Sequence, residues 1–230
     1  MELTLLALLA VAGKSLLFAI AAILPIINPL ATAPIFVAWT QGMGSDERNH
    51  LALTVGRYVT LLLASTMVLG SLVLDLFGIS LPVVRVAGGI IVAYNAWLML
   101  NTQEPAHDDS SQMAQTLTRQ NARPDTFYPL SFPITCGPGS LAAAIAVGAS
   151  LRTPRITETL ASLAGALAGM VIVGTVVALT YRYATALLRK LGEVGQLVFL
   201  RLMAFLLLAV GVQIVWDGIR GLILSLPSAG

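Results

Sequence analysis

Charged positions divide the chain into long apolar stretches. A bilayer-spanning helix needs about 20 mostly apolar residues, and six stretches meet that length. The first lies between Lys14 and Asp46, with a span expected within roughly residues 10–41. Arg57 and Asp75 bracket the second, and the third runs from about Pro82 to Asn101 with Arg85 inside it. Asp125 and Arg152 bracket the fourth, and Glu158 and Arg182 the fifth. The sixth covers about Gln196 to Arg220 and contains Arg201. The pattern predicts an all-α integral membrane protein with six transmembrane helices. Residues 104–126 form the only long polar run. They show little apolar periodicity and read as a solvated cytoplasmic linker, with a regulatory or partner-binding loop as the alternative.

Composition agrees. Hydrophobic residues make up 57% of the 230 and charged residues 10%, where an ordinary soluble domain carries about 25% charged residues. A surface so poor in charge excludes a soluble enzyme and a free nucleic-acid binder. The net charge of +2 adds nothing in favour of nucleic acid. Cys136 is the one cysteine, and His50 and His107 lie in polar stretches, so no disulfide, metal centre or cofactor is expected. Glu2 and the lack of an early Lys or Arg argue against a cleaved signal peptide. Trp39, Trp97, Trp216, Tyr58, Tyr128, Tyr181 and Tyr183 fall near span ends, where such rings prefer the headgroup region. Loops 1–2, 3–4 and 5–6 hold Arg48, Arg57, Arg119, Arg123, Arg182, Arg189 and Lys190, against Lys14, Arg152, Arg155 and Arg220 on the other side. Seven cations against four favour the first side as cytoplasmic, with both termini periplasmic.

Two halves share a mark that composition does not impose. LPIINPLATAPIF carries Pro25, Pro29 and Pro34, and YPLSFPITCGPGS carries Pro129, Pro133 and Pro138, at identical spacings of four and then five residues. The third span of each half also begins alike, at Arg85 and at Arg201. The chain therefore reads as residues 1–103, a three-helix repeat, the linker 104–126, and residues 127–230, a second three-helix repeat. An odd number of spans per repeat makes the two halves enter the membrane from opposite sides, as in many secondary transporters.

A proline inside a helix costs about 3 kcal/mol and removes a hydrogen bond. At membrane depth such irregular backbone persists where protein or a water-filled cavity surrounds it. Spans 1 and 4 are accordingly expected to be broken. Thr32 or Ala33 would precede a new half-helix with Pro34 at its first position, and Gly137 would precede Pro138 likewise. Half-helix N-termini attract anions, whereas carbonyls exposed near Asn28 and near Ile134 suit an ammonium group or a cation. A site with both ends fits a small zwitterion. Asn28, Pro29, Thr32, Pro34, Thr135, Gly137, Pro138 and Gly139 are the candidate binding residues. Asn28 caps exposed backbone or contacts the ligand, and Thr32 and Thr135 either back-bond within their helices or offer hydroxyls. Kinked, closely packed helices without a ligand are the alternative for the whole cluster. Arg85, Asn95, Arg201 and Gln213 are candidates for gating or helix packing. The two arginines either snorkel or pair with Asp75 and Asp217, and the two amides are expected to bond between helices. Cys136 reads as a space-filler. No Asp, Glu or His stands near the middle of a span. Any coupling to protons or a monovalent cation would use a charge nearer a span end, the substrate carboxylate, or a cation held by carbonyls.

These residues resemble the MarC family (UPF0056) of bacterial inner-membrane proteins. The resemblance rests on Asn28-Pro29-Leu30-Ala31-Thr32-Ala33-Pro34-Ile35-Phe36, on Arg85 to Gly89, on Pro129 to Gly139, on Arg201 to Ile219 and on Phe77 to Pro82. It covers nearly the whole chain except the central loop. Ala31 departs from the family's commoner Gly or small polar residue. The resemblance implies an inner-membrane protein of six helices, related to a transporter of small neutral amino acids such as glycine and alanine. The expected function is transport of small zwitterions by alternating access, without enzymatic chemistry. Rhomboid-like catalysis wants Ser and His within spans, and aspartyl catalysis wants two Asp. Efflux of larger apolar compounds and a non-transporting scaffold are the alternatives.

Overall fold

The computed structural model describes residues 2–101 and 126–225. Its regular structure is helical, with no strand among the described residues. In chain order the elements are α1 (Glu2–Ile27), α2 (Pro29–Trp39), α3 (Ser45–Leu76), α4 (Leu81–Asn101), a π-helical turn (Leu130–Thr135), α5 (Pro138–Ser150), α6 (Ile156–Arg182) and α7 (Ala184–Leu224). The linker 104–126 lies outside the described residues but for Thr126.

Five helices, α1, α3, α4, α6 and α7, are long and apolar enough to cross a membrane. That differs from the six full spans expected, and the prolines are the reason. At 11 and 13 residues, α2 and α5 are about 16 and 20 Å long, short of the ~30 Å hydrocarbon core. The first expected span is in fact α1, whose 26 residues reach about 39 Å, followed by the short α2. The break therefore closes a helix long enough to cross by itself rather than dividing one at its centre. In the fourth expected span the first half is the π-helical turn, with Phe132 in extended backbone (φ −135°, ψ 126°), and only α5 is regular helix. The second span reaches back past Arg57, because α3 runs unbroken from Ser45. In α7, Gly192 adopts φ 63° and ψ 173°. Only glycine takes that backbone readily, and the apolar span begins after it, at Val194.

Helix α1 packs on α6, α3 on both α6 and α5, and α4 on α7 and α5. Lipid tails are as apolar as Leu, so close approach of small residues holds such helices together. A Cβ on Gly165 of α6 would meet the backbone of Ala12, and one on Gly148 of α5 the carbonyl of Met67. On α6, a Cβ at Gly174 would run into the Thr60 hydroxyl and lie 2.6 Å from the Gly56 carbonyl on α3. Gly174→Val is expected to destabilise by roughly 1–3 kcal/mol through overpacking. Gly13→Ala, where a Cβ meets nothing within 4 Å, is expected to stabilise by about 0.5–1 kcal/mol through helix propensity. Thermal unfolding midpoints of the two variants in detergent check both signs.

The aromatic residues divide. Trp97, Trp216, Tyr128 and Tyr183 are exposed. Tyr181, expected in the headgroup belt, is instead fully buried at 0% exposure, and Trp39 is buried too. Tyr181 stacks on Phe36 of α2 with centroids 4.5 Å apart, which draws it into the interior.

Candidate functional site between the two broken segments

The first break is made by Asn28. Its backbone sits in the left-handed region, φ 43° and ψ 65°, a conformation Asn tolerates better than most residues. Its N–H donates to the Leu24 carbonyl at 3.0 Å and its own carbonyl accepts from Ala31 at 3.0 Å. The new helix then starts at Pro29, one turn earlier than the sequence suggested. Pro34 is buried inside α2 and does not start a helix. The second break follows expectation: Gly137 is the N-cap and Pro138 the first residue of α5.

A cavity of about 160 Å³ lies between the breaks. Of the predicted residues it brings together Asn28, Thr32, Thr135, Gly137, Gly139 and Asn95, and adds Ser140. Pro29, Pro34 and Pro138 shape the backbone without lining it. Its depth is set by the facing helices, since Asn95 and Leu207 come from the middle reaches of α4 and α7. No charged side chain lines it, and no metal-binding cluster occurs among the described residues.

Two amide residues line the cavity. The Asn28 side chain makes no capping hydrogen bond. Its Nδ2 is buried and without a partner among the described residues, although Asn28 is only 8% exposed. An orphaned buried donor costs about 1–3 kcal/mol, so the purely capping role does not hold. Asn95 lines the same cavity from α4, rather than bonding to a neighbouring helix.

A hydroxyl chain ties the breaks together. Tyr181 Oη donates to Thr32 Oγ1 at 2.8 Å and lies 2.7 Å from Thr135 Oγ1. Thr32 Oγ1 donates to the Pro29 carbonyl at 3.2 Å, and Thr135 Oγ1 to the Leu130 carbonyl at 2.7 Å. Each hydroxyl carries one proton. Three protons thus serve four short contacts, and one contact is always without a hydrogen. The chain can shuffle its protons but cannot satisfy every link at once. Sequence reasoning missed Tyr181 because its neighbour Arg182 marks a span end, and no local signal reveals a contact 149 residues away.

The remaining candidates lie elsewhere. Arg85 lines a separate cavity with Asp217 and Arg220. Gln213 donates to Asp217 Oδ1 at 3.0 Å within α7, not to another helix as expected. Arg201 is exposed and lines none of these cavities.

Long apolar helices around a small neutral cavity define a multi-pass helical integral membrane protein. Residues 13–223 match the model of the MarC family of integral membrane proteins. The chain belongs to that family. It is similar to the UPF0056 inner membrane protein MarC of Escherichia coli (strain K12) and of Shigella flexneri, in each case 34% identical over 215 residues, covering 91% of this chain and 96% of the relative. No solved structure matches.

Proposed function

We propose that the chain is a secondary transporter of small neutral zwitterions, such as glycine and alanine, in a bacterial inner membrane. The carrying observation is the uncharged 160 Å³ cavity between two broken segments, with the buried Asn28 amide unpartnered beside it. That volume corresponds to roughly five waters at ~30 Å³ each, a size that suits the smallest amino acids. Drug-sized ligands occupy about 300–1,000 Å³, more than this cavity holds.

The proposed six-span inverted repeat takes α1 with α2 as its first span and the π-helical turn with α5 as its fourth. Supporting it, the broken segments of both halves meet at one cavity. The solute carboxylate would lie against the first turn of α5, where Gly139 lines the cavity and helix donors lack intrahelical partners, and would draw the buried Asn28 Nδ2 toward it by a small side-chain shift. The ammonium would face the hydroxyls and the carbonyls that the prolines leave without donors. With no ionisable side chain lining the cavity, a coupled proton would travel on the solute carboxylate, and a coupled monovalent cation would sit on those carbonyls. The relatives' name supports the inner membrane, and the loop charges support periplasmic termini.

Uptake of labelled glycine, alanine and tryptophan into proteoliposomes, with and without a pH gradient, tests the reading. Saturable uptake of the first two with tryptophan excluded is expected. Uptake of tryptophan alone would favour the efflux alternative, and no uptake by well-inserted protein would overturn the substrate assignment.

A further inference from the structure

A larger cavity of about 460 Å³ lies one to two helical turns from the small one, on the same helices. Ala22 of α1 lines the larger and Ile26 the smaller; Ala143 and Ser140 on α5, and Val210 and Leu207 on α7, stand in the same relation. On α4, Arg85 lines the larger and Val92 the smaller. Steps of three or four residues advance about one turn, 5.4 Å. Following the chain, α1 and α4 run from the large cavity toward the small one, and α5 and α7 run back. Four helices thus place the two cavities on one axis.

The walls of the larger cavity are apolar apart from Arg85, Asp217 and Arg220. Among the described residues neither arginine forms a salt bridge with Asp217, whose Oδ1 is engaged by Gln213. Two cations and one anion leave an excess positive charge. Unpaired ionised groups at a membrane-embedded cavity stay charged only where water reaches them. The hydroxyl chain joins Thr32 and Thr135 of the small cavity's lining to Tyr181, which stacks on Phe36.

We infer that the larger cavity is the aqueous entrance to the small one, and that Arg85, Asp217 and Arg220 form a charged filter that draws in carboxylate-bearing solutes and repels simple cations. The inference rests on the transporter reading for its purpose, but access and charge preference are measurable without transport.

The test starts from Cys136→Ser, which removes the one native cysteine. Single cysteines replace Ala146 and Ile214 in the large cavity, and Ile90, 55% exposed in the middle of α4 and lining none of the cavities, as a lipid-facing control. Vesicles of each orientation meet membrane-impermeant thiol reagents, one anionic and one cationic. Ala146→Cys and Ile214→Cys are expected to react from one side only, with the anionic reagent about tenfold faster, as a local potential of a few kT produces. Adding Arg85→Gln and Arg220→Gln should abolish or reverse that preference while leaving access intact. Reactivity no greater than that of Ile90→Cys would mean a lipid-filled cleft and overturn the entrance. Equal rates for the two reagents would overturn the filter. Labelling as expected without glycine or alanine uptake would sink only the substrate assignment; uptake without labelling would sink only the entrance.

Discussion

Tyr181→Ala is expected to be among the most damaging single substitutions in this chain, costing about 3–5 kcal/mol, as other large aromatic truncations in packed cores do. The ring is fully buried and stacked on Phe36, and its hydroxyl touches both threonines at the breaks. Tyr181→Phe separates these contributions. It keeps the stack and removes the hydroxyl. Thr32 and Thr135 each retain a carbonyl partner, on Pro29 and Leu130, so no donor is orphaned. The cost should then be that of an ordinary hydrogen bond, about 0.5–1.5 kcal/mol. Thermal unfolding of both variants in detergent gives the comparison. A phenylalanine variant as unstable as the alanine variant would mean that the hydroxyl chain, not the packed ring, holds α2 against the second break. If the chain also sets how readily the two breaks part, Tyr181→Phe should change transport rate more than stability, because it removes a hydroxyl that touches both breaks.

The apolar runs were legible because lipid admits few alternatives: a charge-free stretch of sufficient length is a helix or part of one. The breaks were legible in kind, since three prolines in ten residues cannot make a regular ladder. Their positions were only half legible. Gly137 before Pro138 offers one reading, and the structure follows it. Pro29 and Pro34 both fit a first helical position, and what decides between them is Asn28, a residue that accepts left-handed backbone. The short α2 and α5 follow from the same prolines, but their failure to reach across the bilayer depends on where the preceding segment ends. The cavity itself was partly visible, because small and hydroxyl residues cluster at the matched motifs. Tyr181 was not, since its role comes from a contact between α6 and α2 that leaves no local trace. Gln213 and Asp217 sit four apart on one helix face, so their bond within α7 was available to i, i+4 reasoning.

Asn28→Gly and Asn28→Ala together isolate the amide from the backbone it bends. Glycine adopts φ 43° without strain. Alanine there carries a left-handed cost of about 1–2 kcal/mol. The side-chain Nδ2 has no partner among the described residues, so its removal relieves an orphaned donor worth about 1–3 kcal/mol, against about 0.5–1 kcal/mol for glycine's greater freedom when unfolded. Without solute, Asn28→Gly is therefore expected to unfold at or above the wild-type midpoint, and Asn28→Ala below Asn28→Gly. With solute the order should invert. Wild type gains stability with ligand concentration, about 2.7 kcal/mol at a hundred times the dissociation constant. Both variants lose a hydrogen bond to a charged carboxylate, about 1.5–3 kcal/mol, which weakens binding and uptake by roughly ten- to a hundredfold. Glycine uptake should thus fall equally in the two variants while their stabilities differ. If uptake instead follows stability, lost in Asn28→Ala and kept in Asn28→Gly, the residue serves only as the bend, and the carboxylate must be met by the first turn of α5 alone.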